Sequence, residues 1–373
     1  MGLRAGRAQR TLWLFRLLIG VGLTTVLLLG LEGCGQGLYR LRKGRWLFEG
    51  PPPPINSLIF EHHPYLAGKP RPNTRVEQWG NTVTITEDAV RWTGIPEGED
   101  STRIRIACLG ASTTFGVWVD DEETWPAQLQ QMLGSGFEVY NYGVLGYSTA
   151  EHIVQMALTV PEKKPDIVIF YEGWADIRNY HFPQATPDYY AHGMLQYGNL
   201  GLDVAHRLTL REQIMERSGM VWLAQAFRRK IDGLLGTGPA TPLPPTAYRT
   251  PDPFVDRIYR RNLHTLKQLA LMQGASAYFV PQILNDRAFA GLETSRWWSP
   301  YIVDDAMPSL ILHFNTLMQG VCADEACTFV DGMQEIPWAN EHFVDDGHFS
   351  EEGGRRFAEV LARQILDETG TPR

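Results

Sequence analysis

The sequence has no excess of positive charge. Thirty-four Lys and Arg face 42 Asp and Glu, for a net charge of -8. An acidic surface repels a phosphate backbone, so nucleic acid is not an expected partner. Phosphate-cradling motifs are missing too. There is no Gly-x-Gly-x-x-Gly and no Gly-Lys-Ser/Thr, so Gly110 to Gly116 does not read as a nucleotide loop. Cysteine is scarce, with four in 373 residues. Cys34 abuts an apolar run, and Cys108 sits in an apolar strand as a small buried hydrophobe. Cys322 and Cys327 flank Ala-Asp-Glu-Ala; they either close a small disulfide loop in an oxidising compartment or remain two free thiols. With no further ligands nearby they do not make a zinc site. No metal and no cofactor is expected. No internal repeat is present. What is there is ordinary for a globular chain: 44% hydrophobic and 20% charged residues rule out a mainly disordered one. Eleven Trp and fourteen Tyr belong either to the core or to a groove for carbohydrate or lipid.

One long apolar run stands at the N-terminus. Arg4, Arg7 and Arg10 precede Thr11–Leu31, which only Arg16 interrupts. The uninterrupted part is short for a span, but Arg16 lies near one end, where its side chain can snorkel. An uncleaved anchor is the preferred reading. A cleaved signal peptide is the main alternative, although no A-x-A-like site follows. A lipoprotein signal is the third, because Leu31-Glu32-Gly33-Cys34 loosely resembles a lipobox, with Glu32 a poor fit. The basic residues Arg40, Arg42, Lys43 and Arg45 nearly balance those before the run, so charge does not set orientation. A downstream domain outside the cytoplasm, periplasmic or at the cell surface, is expected. The expected division is a segment 1–34, a stalk and β-decorated collar over 35–100 that includes Pro51–Pro54, and a main domain over 101–373.

The main domain alternates strand and helix. Ile104–Leu109, Phe137–Asn141 and Asp166–Tyr171 read as strands, the last almost continuously apolar, as in a parallel strand buried on both faces. Trp125–Leu133 has helical spacing, and Thr149–Leu158 a helix that Thr149 is able to cap. An insertion at about 180–250, with a helical stretch around Leu208–Leu234 and a Pro/Thr-rich Thr237–Pro245, interrupts the rhythm and has the makings of a lid. The pattern resumes with a helix at Ile258–Gln273, a strand at Ala277–Val280, a helix at Asp304–Met318, a strand at Thr328–Asp331 and a helix at Glu351–Leu366. This alternation predicts a doubly wound α/β sheet.

Chemistry concentrates at two points. Ser112 follows Gly110 in a sharp turn after an apolar strand, and parallel sheets bind ligands at the carboxyl ends of their strands. A hydroxyl is a weak nucleophile that needs a base and an orienting acid. Asp345 and His348, three apart just before the last helix, supply that pairing: a carboxylate fixes the imidazole tautomer and supports its charge. His342 and Asp346 are the neighbouring alternatives.

Four segments together resemble the SGNH (GDSL-like) hydrolases, in the family's order: Ile-Ala-Cys-Leu-Gly-Ala-Ser-Thr-Thr-Phe-Gly at 106–116, Asn-Tyr-Gly-Val-Leu-Gly at 141–146, Tyr-Glu-Gly-Trp-Ala-Asp at 171–176 and Asp-Asp-Gly-His at 345–348. The resemblance implies a flavodoxin-like three-layer α/β/α sandwich and a carboxylic ester hydrolase acting on lipids, acetylated glycans or thioesters. It makes Ser112 the nucleophile, His348 the general base and Asp345 its orienting acid. The backbone N–H groups of Ser112 and Gly146 enter the oxyanion hole, with Gly143 the second candidate glycine. One position departs from the pattern. Where the family carries an oxyanion-hole Asn this chain has Ala175, and Asn179 is a candidate substitute. Asp176 reads as a cap or loop clamp. Three functions stay open: an esterase, an O-acyltransferase of cell-envelope polysaccharide, and a non-catalytic binding module on the same fold.

Overall fold

The computed structural model describes residues 2–44, 46–49, 58–66, 68–78, 80–98, 100–183, 185–189, 215, 217–235, 247–296, 298–323 and 326–370. The chain divides into two compact units, 1–52 with 206–243 and 53–205 with 244–373. Pro51–Pro54, Thr237–Pro245 and most of the expected helix before Gly219 lie outside the described residues.

The first unit is helical. Helix α1 runs unbroken over Gly2–Lys43, past the expected boundary at residue 34. No proline interrupts it, and it ends only where Gly44, at φ 75°, donates to the Arg40 carbonyl, a left-handed C-terminal cap. The basic residues expected in a stalk, Arg40 to Lys43, are therefore helical. Within α1, Trp13–Arg42 is long and apolar enough to cross a membrane or to be a signal sequence, since a span needs about 20 apolar residues. A further helix of the unit, α5 (Gly219–Leu235; α2 to α4 lie in the second unit), packs against α1. The two backbones nearly touch: a Cβ on Gly35 would fall 2.1 Å from the Gly219 carbonyl oxygen. Glu32 explains itself here. Its carboxylate accepts from Ser218 Oγ and Gly219 N, both at 2.7 Å, and from Met220 N at 3.1 Å. An anion on the open N–H groups of a helix start offsets the helix dipole. The stretch Gly219–Leu235 of the insertion thus docks on the N-terminal helix.

The second unit begins with two antiparallel ribbons, β1 (Phe60–Glu61) with β2 (Lys69–Pro70) and β3 (Thr74–Gln78) with β4 (Asn81–Ile85). Its centre is a five-stranded sheet in the order β6 (Phe137–Asn141), β5 (Ile104–Gly110), β7 (Ile167–Tyr171), β8 (Ser276–Val280), β9 (Thr328–Phe329). Every pairing in it is parallel. This is the flavodoxin-like order, with its topological switch between β5 and β7.

Alternation along the strands feeds two cores. Ala107, Leu109, Val168, Phe170 and Phe279 face a layer made of α4 (Thr149–Leu158), α6 (Pro253–Met272) and α7 (Met307–Val321). Ile106, Cys108, Ile169 and Val280 face α3 (Trp125–Leu133) and α8 (Glu351–Thr369). The three-layer sandwich follows, because each helix has one apolar stripe to bury. Local signals set the helix starts. Thr124 caps α3, Asp252 caps α6 ahead of Pro253, and Ser350 caps α8, each worth about 1 kcal/mol. The cap of α4 is Ser148 rather than Thr149. Ser148 and Glu151 form a reciprocal capping box, while Thr149 turns its hydroxyl to Asp176. Helix α7 starts at Met307, after a 3-10 turn at Asp304–Ala306, because Pro308 suits the first turn of a helix.

Candidate active site

Strand β5 ends at Gly110, and the one-turn helix α2 (Ser112–Phe115) follows at once. The turn has no room for a side chain at Gly110, where a Cβ would lie 2.1 Å from Thr114 Oγ1. Ser112 is thereby presented at the carboxyl end of the sheet. The loop before α8 brings His348 to it, with His348 Nε2 2.7 Å from Ser112 Oγ. On the other side of the ring, Nδ1 lies 2.7 Å from Asp345 Oδ2. Asp345 Oδ1 accepts from the backbone N–H of Gly347 at 2.9 Å and of His348 at 2.8 Å. A single chain of hydrogen bonds therefore runs from carboxylate to imidazole to hydroxyl. Burial alone would raise the Asp345 pKa. The hydrogen bond and charge of His348, with the two N–H donors, outweigh it and hold it at about 2.

Neither neighbouring alternative occupies this line. His342 is buried and accepts from Ala339 N through its Nδ1. Asp346 lies 3.6 Å from Arg296 Nε, and burial followed by the Asp345 charge raises its pKa.

A cleft of about 910 Å³ opens over Ser112, Gly146, Asp345 and His348. Gly146 has φ 70°, a conformation that costs an L side chain. Gly143 serves a different need: a Cβ there would meet the Phe115 backbone nitrogen at 2.2 Å, so the chain can pass close under α2. Asn141 ties these pieces together, donating to the Thr114 carbonyl and accepting from Gly143 N. Ala175 is only 2% exposed and is not among the residues that line the cleft. Asn179 is not brought to the cleft either. Its Nδ2 donates to the Asp176 carbonyl at 3.0 Å. Asp176 itself accepts from Thr149 N and Oγ1 and clamps the start of α4; burial and then the Glu172 charge raise its pKa.

Four features of the site escaped the sequence. Arg91, 1% exposed, reaches beneath α2. Its guanidinium donates to the carbonyls of Phe115, Gly116 and Val119 and pairs with Asp121 at 3.0 Å. Behind the Ser112 turn, His152 Nδ1 lies 2.6 Å from Glu172 Oε1, and its Nε2 is 3.2 Å from the Gly110 carbonyl oxygen. Burial lowers the His152 pKa, but the Glu172 carboxylate more than compensates and the net shift is upward. Trp174 packs over Gly347, where a Cβ would be 3.1 Å from the indole, and meets the Trp298 ring at a tilt, with centroids 4.7 Å apart. Arg178 lines the cleft together with Trp298. Each of these depends on partners distant in sequence, so neither spacing nor motif marked them.

The model of the GDSL-like lipase/acylhydrolase family matches residues 108–319. No curated protein matches. Among solved structures the chain is similar to TesA, with 17% identity over 70% of this chain and 97% of that one, and a TM-score of 0.39. It is similar to the lipase/acylhydrolase from Enterococcus faecalis, with 14% identity over 71% and 96% and a TM-score of 0.40. It is also similar to a GDSL-like lipase from Bacteroides thetaiotaomicron, with 10% identity over 74% and 94% and a TM-score of 0.40.

Proposed function

This chain belongs to the GDSL-like lipase/acylhydrolase family, and from that premise we propose that it is a serine esterase working through Ser112, His348 and Asp345. The observation that carries the reading is the linear chain of two 2.7 Å hydrogen bonds from Asp345 through His348 to Ser112. With Nδ1–H held by Asp345, His348 Nε2 is free to accept the Ser112 proton as Oγ attacks the ester carbonyl. The tetrahedral oxyanion meets the N–H groups of Ser112 and Gly146. The imidazolium then protonates the leaving alcohol, and the acyl group stays on Ser112. A water activated by the same imidazole releases the acid. Hydrolysis is favoured over transfer to a sugar hydroxyl because water has access: the Asp345 side chain is 38% exposed at the cleft.

The substrate is an acyl ester of a lipid or an acetylated glycan. The enzyme is tethered to a membrane by Trp13–Arg42, with the second unit outside the cytoplasm. The Cys322–Cys327 disulfide supports that compartment, since such bonds persist in oxidising surroundings. The test is hydrolysis of p-nitrophenyl acetate by Ser112→Ala. Loss of turnover with an unchanged melting temperature is expected. Turnover at the wild-type rate would overturn the assignment.

A further inference from the structure

The charged side chains that line the cleft are Arg178, Arg296, Asp345 and Asp346, and they are not evenly paired. Asp345 is spent on His348. Arg296 lies 3.6 Å from both Asp304 and Asp346 and donates to the Ala288 carbonyl. That leaves Arg178. Its Nε is buried without a hydrogen-bond partner, and among the described residues no carboxylate pairs with its guanidinium. The nearest acidic influence, Glu151, is occupied by the Ser148 N–H and hydroxyl. The Arg178 guanidinium lies over the Trp298 ring, 5.6 Å from its centre. Burial lowers its pKa to about 10, which still leaves it charged at neutral pH. A partly desolvated cation with no carboxylate in contact is costly unless something else supplies the anion.

The same cleft holds a second unusual residue. Trp118 has φ 75° and is 41% exposed. A bulky residue in the left-handed region is an outlier whose cost is characteristically accepted at functional sites. A flat, partly exposed indole lining the same cleft as Arg178 suits the apolar face of a pyranose ring.

We propose that Arg178 is the specificity residue for a negative charge on the substrate, and that the ester is borne by a sugar acid, an O-acylated glycan whose carboxylate pairs with Arg178 while its ring lies on Trp118. The inference rests on the esterase reading for its chemistry but not for its binding step. Guanidinium and carboxylate match in a two-pronged, charge-assisted geometry. Such a pair is worth about a tenfold to hundredfold preference over a neutral group.

The experiment compares methyl O-acetyl-glucuronoside with methyl O-acetyl-glucoside on the full-length protein in detergent. The wild-type enzyme is expected to favour the glucuronoside in kcat/KM by at least about tenfold. Arg178→Gln should bring the ratio near one, and Arg178→Lys should retain part of it. Equal rates on the two esters in the wild type, or a ratio that Arg178→Gln leaves intact, would overturn the proposal. A binding arm separates this outcome from failure of the esterase reading. Ser112→Ala protein, titrated with each glycoside by calorimetry, should bind the glucuronoside about tenfold more tightly, and Ser112→Ala/Arg178→Gln should not. Preferential binding without turnover of either ester would refute the esterase and uphold Arg178; no preference in binding would refute Arg178. Arg178-dependent cleavage of phosphatidylglycerol over phosphatidylcholine, with the glucuronoside inert, would overturn the glycan assignment in favour of an anionic lipid.

Discussion

At the scale of single residues, the account turns on how each charge is held. Asp345 is a depressed carboxylate, so its ionised form is the one the fold favours. The stability it contributes is present above its unfolded pKa of about 4 and is lost as the pH falls through its folded value of about 2. A carbon NMR titration should find it still ionised at pH 3, and a midpoint near 4 would contradict the geometry. Activity lost between neutral pH and pH 4 therefore does not arise from Asp345. Asp345→Asn should lower kcat on the order of 10⁴-fold with KM little changed, because it spoils the tautomer of His348 while leaving the cleft intact. A loss below tenfold would mean that the carboxylate is only structural. Ser112, His348 and Asp345 were legible in the sequence because each sits in a short motif at the edge of an apolar segment. Arg178 was not, since nothing local says that a guanidinium will lack a partner. Asn179, one position on, drew attention for its amide, yet that amide is bound to the Asp176 carbonyl.

At the scale of elements, periodicity carried most of the reading. Helix α3 and strand β6 have the boundaries that their spacing suggested, and β9 is shorter than the expected Thr328–Asp331. What periodicity could not give is how elements support one another. The ribbons β1 to β4 pack Ile59, Phe60, Val83 and Ile85 against Phe115, Val117, Val144 and Tyr147. The collar thus underpins both the nucleophile turn and the glycine loop. Arg91 is the polar half of that support. Arg91→Ala would strand the buried Asp121 carboxylate and the carbonyls of Thr82, Phe115, Gly116 and Val119, at a cost of about 3–5 kcal/mol, and a melting curve should show a fall of many degrees. A shift within a degree or two of wild type would show that water substitutes for the guanidinium. Helix α5 was legible as a helix but not as a neighbour of α1, because the ties, Glu32 and the close Gly35–Gly219 approach, join residues far apart in sequence, and sequence reading weighed Glu32 only as a misfit in a lipobox. Glu32→Ala leaves the α5 start without its acceptor, at about 1 kcal/mol. Hydrogen exchange over 218–222 should speed up by roughly fivefold, and unchanged exchange would refute the cap.

For the whole molecule, the composition favoured a globular chain and spoke against a nucleic-acid partner, the acyl-ester reading came from the family resemblance, and the parallel sheet with its switch point puts the candidate site where such folds hold ligands. The proposed location rests on two independent features, the apolar length of Trp13–Arg42 and the Cys322–Cys327 disulfide. The protein should stay with the membrane after alkaline carbonate extraction, and peptide mass spectrometry without reduction should find the two cysteines joined. Release into the supernatant would contradict the anchor, and two alkylated thiols from native membranes would contradict the disulfide. The central claim is that Ser112 is an activated nucleophile, and the most direct measurement is covalent labelling of the intact protein by a fluorophosphonate, followed by peptide mapping. The account predicts one adduct, on Ser112, greatly slowed in His348→Ala. An unlabelled protein, or an adduct on any other residue, would contradict it.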